Sequence, residues 1–126
     1  MEIIILDGPP GIGCPVISTI TGADKAVIVT EPTISGLHDL QRTIEIVRKF
    51  NIKAYVIINK YDLNSAMSDH IESWCKNTGF KVIGKLPFDT GVVEAMVQGQ
   101  SIIEYDINSI VSRMIIEIWN KILNTN

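Results

Sequence analysis

The sequence predicts an α/β domain of three layers, a parallel sheet with helices on both faces. Four short β-rich runs recur, Glu2–Leu6, Lys25–Thr30, Ala54–Asn59 and Lys81–Leu86, each ending in polar or turn residues. Helical patterns lie between them, and this alternation implies βαβ units. Apolar residues make up 46% of the 126, which fits strands buried on both faces and written as unbroken apolar runs. The length suits one domain over residues 1–126.

The first run, Ile3-Ile4-Ile5-Leu6, ends at Asp7 and breaks at once into Gly8-Pro9-Pro10-Gly11-Ile12-Gly13. Pro10-Gly11 suits the centre of a type II turn. Ser35 is the expected N-cap of a helix over Gly36–Phe50, in which Leu37, Leu40, Ile44, Val47 and Phe50 recur at helical spacing. The next helix is expected from Ser65 to Thr78, with Met67, Ile71 and Trp74 inward and Gly79 as its stop. Thr90 opens a short helix through Val97, closed by Gly99. The last helix, from about Asn108 to Leu123, carries Val111, Met114, Ile115, Ile118, Trp119 and Ile122 on a broad apolar face. Both tryptophans are expected in the core.

The net charge of −3 leaves no basic footprint, so nucleic acid is excluded as an expected partner. No apolar run reaches the length of a membrane span. The start of the chain does not read as a signal peptide. Cys14 and Cys75 lack C-x-x-C spacing, and a cytoplasmic chain with reduced thiols is the natural expectation. His38 and His70 have no partner at ligand spacing.

In an open α/β sheet, ligands bind beyond the carboxyl ends of the strands. Asp7, Glu31, Asn59 and Asp89 occupy such positions. Asp7 can serve Mg²⁺ through water, or simply cap its own loop. Gly11 offers an exposed N–H and no Cβ to a phosphate, with Gly8, Pro9, Pro10 and Gly13 shaping the loop; a tight strand-to-helix turn is the plainer reading. Asn59-Lys60-Tyr61-Asp62 matches the N-K-x-D pattern with which GTPases read guanine, and also reads as a solvated loop before a helix capped by Asn64 or Ser65. Cys14, next to the glycine loop, could lie near the site. The chain contains no G-x-x-x-x-G-K-[ST] cradle for phosphates.

Taken together, Asp7-Gly8-Pro9-Pro10-Gly11-Ile12-Gly13-Cys14-Pro15, Val29-Thr30-Glu31-Pro32-Thr33-Ile34-Ser35-Gly36-Leu37-His38-Asp39-Leu40, Val56-Ile57-Ile58-Asn59-Lys60-Tyr61-Asp62-Leu63-Asn64 and Gly84-Lys85-Leu86-Pro87-Phe88-Asp89 resemble the MinD/ParA/Mrp class of P-loop ATPases. The nearest likeness is to the subgroup carrying a ferredoxin-like insert. The resemblance implies a P-loop NTPase-like sheet of SIMIBI type, here incomplete because the P-loop strand is missing from between the first two strands. It implies Asp7 and Gly11 in the phosphate switch. It also implies nucleotide-base contacts from Asn59, with Asp62 a further candidate and Pro87, Phe88 and Asp89 flanking the base. ATP and Mg²⁺ are expected only in a site completed by the family's P-loop portion. The [4Fe-4S] clusters of the subgroup have no ligand set here. Three functions compete: the C-terminal part of a divided or truncated ATPase linked to iron–sulfur chemistry, a non-catalytic interaction module, and a GTP-binding module. The expected partner is a second copy or a P-loop-bearing chain.

Overall fold

The computed structural model describes residues 2–8 and 14–125. In chain order they form α1 (Cys14–Thr21), β1 (Lys25–Thr30), α2 (Ile34–Lys49), β2 (Lys53–Asn59), a 3₁₀ turn (Tyr61–Leu63), α3 (Ser65–Thr78), β3 (Lys81–Leu86), α4 (Thr90–Val97), α5 (Ile102–Tyr105) and α6 (Ile110–Asn124). The sheet has three strands in the order β1-β2-β3, with both pairings parallel.

Strand β2 is the centre. Its even-numbered side chains Ala54, Val56 and Ile58 pack beneath α1, α2 and α3 with Val16, Ile20, Leu40, Ile44, Val47, Ile71 and Cys75. Tyr55 and Ile57 face the opposite layer and meet Ile83 and Ile118, the latter from α6. Five consecutive residues of β2 are buried, the signature of a strand covered on both faces. The expected three-layer α/β arrangement is thereby formed.

The expected first strand is not formed. Residues 2–8 adopt no regular structure, and Ile3, Ile4, Ile5 and Leu6 are 48%, 84%, 75% and 49% exposed. A strand requires a ladder partner, and among the described residues β1, the nearest candidate, pairs only with β2. Residues 2–8 and β1 line one cleft of about 1430 Å³, whose wall also carries Val16, Ile20, Trp119, Ile122 and Leu123. Trp119 is therefore corrected from core to cleft wall, 37% exposed, while Trp74 packs against the core as expected.

Helix boundaries follow their caps. The N-cap of α2 is Thr33 rather than Ser35, because the Thr33 hydroxyl accepts from the Gly36 N–H at 2.9 Å. Asn64 caps α3 through the Met67 N–H, and Gly79 closes it at φ 86°. Helix α5 was not anticipated. Its signal is Ser101-Ile102-Ile103-Glu104, a reciprocal capping box with both hydrogen bonds formed.

The two sheet edges differ. β3 carries Lys81 and Lys85, charges that disfavour strand pairing at an edge, and Lys85 meets Glu72 of α3 at 3.1 Å. The outer stretch of β1 exposes Val27 and Val29 at 39% and 60%.

The β2–β3 register slips between Val56 and Ile57, so that Val56 faces Val82 while Ile57 faces Gly84. A Cβ on Gly84 would collide with the Ile118 side chain of α6. Gly84→Ala should therefore cost about 1–3 kcal/mol by overpacking. Chemical denaturation measures it, and part of the loss should return when Ile118→Val is added.

Cys75 is fully buried, and burial, reinforced by the nearby Glu72 carboxylate, raises its thiol from 9.0 to about 11. The folded value lies above the unfolded one, so folding favours the protonated thiol. That contribution is complete below about pH 9 and is lost as pH climbs through 11. Urea midpoints at pH 8 and pH 11 should fall further in the wild type than in Cys75→Ala.

Candidate nucleotide-binding site

The carboxyl ends of the three strands open on the same side of the fold, where loops follow β1, β2 and β3. After β1, Thr30 is buried and its hydroxyl donates to the Gly36 carbonyl at 3.0 Å, holding the turn into α2. That turn is tight: a Cβ on Gly36 would strike the Glu31 carbonyl oxygen. Glu31, next in the chain, points outward and meets the Lys60 ammonium at 3.4 Å. Both partners are about half exposed, so the pair orients side chains more than it stabilises the fold.

After β2, Lys60 turns left-handed at φ 54°, an uncommon conformation for a residue with a Cβ. It reverses the chain into the Tyr61–Leu63 turn. Asp62 then accepts a hydrogen bond from the Phe88 N–H, 2.8 Å away in the loop after β3. One residue on, Asp89 caps α4 by accepting from the Gly91 N–H at 2.7 Å.

A cavity of about 110 Å³ lies between these loops, lined by Asn59, Lys60, Pro87, Phe88, Asp89, Val92, Val93 and Met96. It brings together four of the residues singled out for base contact: Asn59, Pro87, Phe88 and Asp89. Asp62 stands outside the lining, with its carboxylate turned to the backbone. Val92, Val93 and Met96 were missed. Their signal lay in the apolar face of α4, which begins directly after Asp89. The cavity is small beside the roughly 300–1,000 Å³ of a complete small-molecule site, so it forms one wall of such a site.

Asp7 and Gly8 line the larger cleft, as does Glu31. The switch candidates and the base candidates thus occupy separate concavities, and the Glu31–Lys60 pair joins the two, Glu31 belonging to the cleft and Lys60 to the cavity. Pro9, Pro10, Gly11 and Gly13 lie outside the described residues, as does the side chain of Cys14. Among the described residues no cluster of three metal-ligating side chains occurs. With two cysteines in the whole chain, one of them buried in the apolar core, the residues present do not fit a [4Fe-4S] cluster, which takes four thiolates.

Comparison with known proteins extends these observations. A family model described as ParA, the NUBPL iron-transfer P-loop NTPases, matches residues 1–123. An uncharacterised protein of Methanocaldococcus jannaschii is 36% identical over 121 residues, covering 96% of this chain and 40% of the relative. The septum site-determining protein MinD of Buchnera aphidicola from Schizaphis graminum is 30% identical over 141 residues, covering 99% of this chain and 50% of that protein. Among solved structures, the MinD cell division protein of Aquifex aeolicus superposes with a TM-score of 0.77 at 23% identity, over 94% of this chain and 52% of its own. MinD of Pyrococcus horikoshii, solved as a complex with Mg-ADP, gives 0.76 at 20% identity, over 94% and 49%. The chain spans between two fifths and about half the length of these relatives.

The cap on α4 fixes one wall of the cavity, which makes it testable. Asp89→Ala should destabilise the domain by about 1 kcal/mol and accelerate amide exchange in the first turn of α4. Asp89→Asn should leave both near wild type. Thermal unfolding and hydrogen exchange read the two effects.

Proposed function

This chain belongs to the ParA/NUBPL family of P-loop NTPases, and we propose that it supplies the base-binding and switch portion of a nucleotide-dependent ATPase. The phosphate-cradling loop then comes from a further segment, in the same polypeptide or in a partner chain. The observation that carries this reading is the pairing of concavities: a base-sized cavity at Asn59 and Phe88 opens beside a cleft holding Asp7, and Glu31–Lys60 links them.

Each residue has a role in the completed site. Asn59 offers an amide that can both donate to and accept from the edge of adenine. Val93 and Met96 give an apolar wall, with Phe88 beside them. By the family resemblance, Asp7 would hold Mg²⁺ through water in the completed site. A magnesium ion bound there would help neutralise the charge on the transferring phosphoryl group. Without a lysine and an N–H cradle little else does so, which supports a chain that is not catalytic alone.

The completing segment seats a strand between residues 2–8 and β1, where, among the described residues, both the apolar stretch Ile3–Leu6 and the outer edge of β1 lack a ladder partner. A homodimer is the second candidate. A two-fold axis at the β1 edge would pair those strands antiparallel and leave Ile3–Leu6 exposed, so the P-loop-bearing segment accounts for more of the surface. An iron–sulfur association enters only through such a partner, because the ligands are not in this chain. The GTP reading is the weakest of the three, since Asp62 faces the backbone. The non-catalytic interaction module remains the alternative if no nucleotide binds in any assembly.

The test combines the purified chain with a P-loop-bearing segment of a relative. ATP should bind the complex and be hydrolysed, Asn59→Ala should weaken ATP about tenfold, and Asp7→Ala should remove hydrolysis with ATP still bound. Hydrolysis by the chain alone, lost in Asp7→Ala, would overturn the division of labour.

A further inference from the structure

Asp62 is the residue whose sequence context and surroundings disagree most. In Asn59-Lys60-Tyr61-Asp62 it stands where a guanine-reading carboxylate would. Reading guanine takes both oxygens of one carboxylate, aimed together at two neighbouring N–H donors on the base edge. Here Oδ1 instead accepts from the Phe88 N–H at 2.8 Å, across 26 residues of sequence, and the side chain is absent from the cavity lining. We infer that Asp62 is a positioning residue: it ties the loop after β2 to the loop after β3, sets Phe88 at the cavity, and leaves the choice of base to Asn59. This inference rests on the cavity being a nucleotide-base site.

The local chemistry favours such a tie. Pro87 has no N–H, so Phe88 offers the first backbone donor after β3 ends at Leu86. A carboxylate acceptor makes the bond charge-assisted and stronger than an amide pair. The left-handed turn at Lys60, with the Leu63 N–H returning to the Lys60 carbonyl at 3.1 Å, is what swings Asp62 toward the β3 loop. Asp89, immediately after Phe88, is itself spent on the cap of α4. Asp62 and Asp89 are therefore both committed to backbone donors. Lys60 is committed to Glu31. Among the described residues of the lining, the Asn59 side chain is left as the polar group with an edge for a purine.

The experiment uses the full chain and two variants, Asp62→Ala and Asp62→Asn. Amide exchange at Phe88, followed by NMR, should accelerate about tenfold or more in Asp62→Ala and stay near wild type in Asp62→Asn, whose side-chain oxygen still accepts the bond. Saturation-transfer NMR with ATP, GTP and XTP, on each protein combined with a P-loop-bearing segment of a relative, provides the second readout. A carboxylate that reads guanine would, on becoming an amide, exchange its preference for GTP into one for XTP, because the amide N–H₂ then meets the 2-oxo group of xanthine. A positioning carboxylate gives no such exchange: Asp62→Asn should keep the wild-type order of nucleotides, and Asp62→Ala should weaken the preferred nucleotide without gaining another. Unchanged Phe88 exchange in Asp62→Ala overturns the inference, and so does a gain of XTP in Asp62→Asn. If no nucleotide saturates any of the proteins with that segment present, the base-cavity reading fails by itself, and Phe88 exchange still decides whether the tie exists.

Discussion

Everything in this domain hangs on β2 being covered on every side. Its backbone is paired on both edges, and its side chains are buried toward two helical layers. An apolar strand can be buried in this way only if each of its N–H and C=O groups finds a partner within a ladder, because water is excluded. That condition fixes β1 and β3 as parallel neighbours and places α1, α2 and α3 over one face and α6 over the other. It also brings the loops after all three strands to one end, where Glu31, Asn59 and Phe88 lie. The site follows from the sheet.

Among the described residues, the same requirement is unmet at β1. One edge of that strand pairs with β2, and the other opens on the cleft that Ile3–Leu6 also lines. Two apolar stretches flanking an unfilled cleft are costly in water and invite a strand between them. β3 is also an edge strand among the described residues, but it carries Lys81 and Lys85, whereas the β1 edge exposes Val27 and Val29. The proposed division of the nucleotide site rests on this asymmetry, since the segment that fills the cleft would bring its following loop toward Asp7 and Glu31.

Most of the fold was legible because burial on both faces leaves a plain mark. The runs over β1 and β3 were placed to the residue, β2 within one, and α3 with both ends, since Asn64 and Gly79 are strong local signals. Ile3–Leu6 carries the same mark and yet forms no strand, because strand formation is decided by a partner that periodicity does not reveal. Trp119 misled for a related reason: helical spacing identifies the apolar face of α6, but whether anything covers that face depends on the same open cleft. The Thr33 cap displaced Ser35 because two hydroxyls in one turn compete, and only geometry separates them. At the site, Asn59 and Pro87–Asp89, which the family resemblance grouped, line one cavity, while Asp7 and Glu31, which strand position alone set beside them, line the other concavity. The orientation of Asp62 was invisible, since an N-K-x-D match records residue types and not the direction of a carboxylate.

The open sheet is the central claim, and hydrogen exchange in the isolated monomer tests it most directly. Amides of β2 should be strongly protected. Those of Ile3–Leu6, and the β1 amides directed away from β2, should exchange as freely as unpaired chain. Strong protection of both stretches in a monomer verified by light scattering would contradict the open sheet: the two stretches would then pair with each other, and the sheet would close without a further strand.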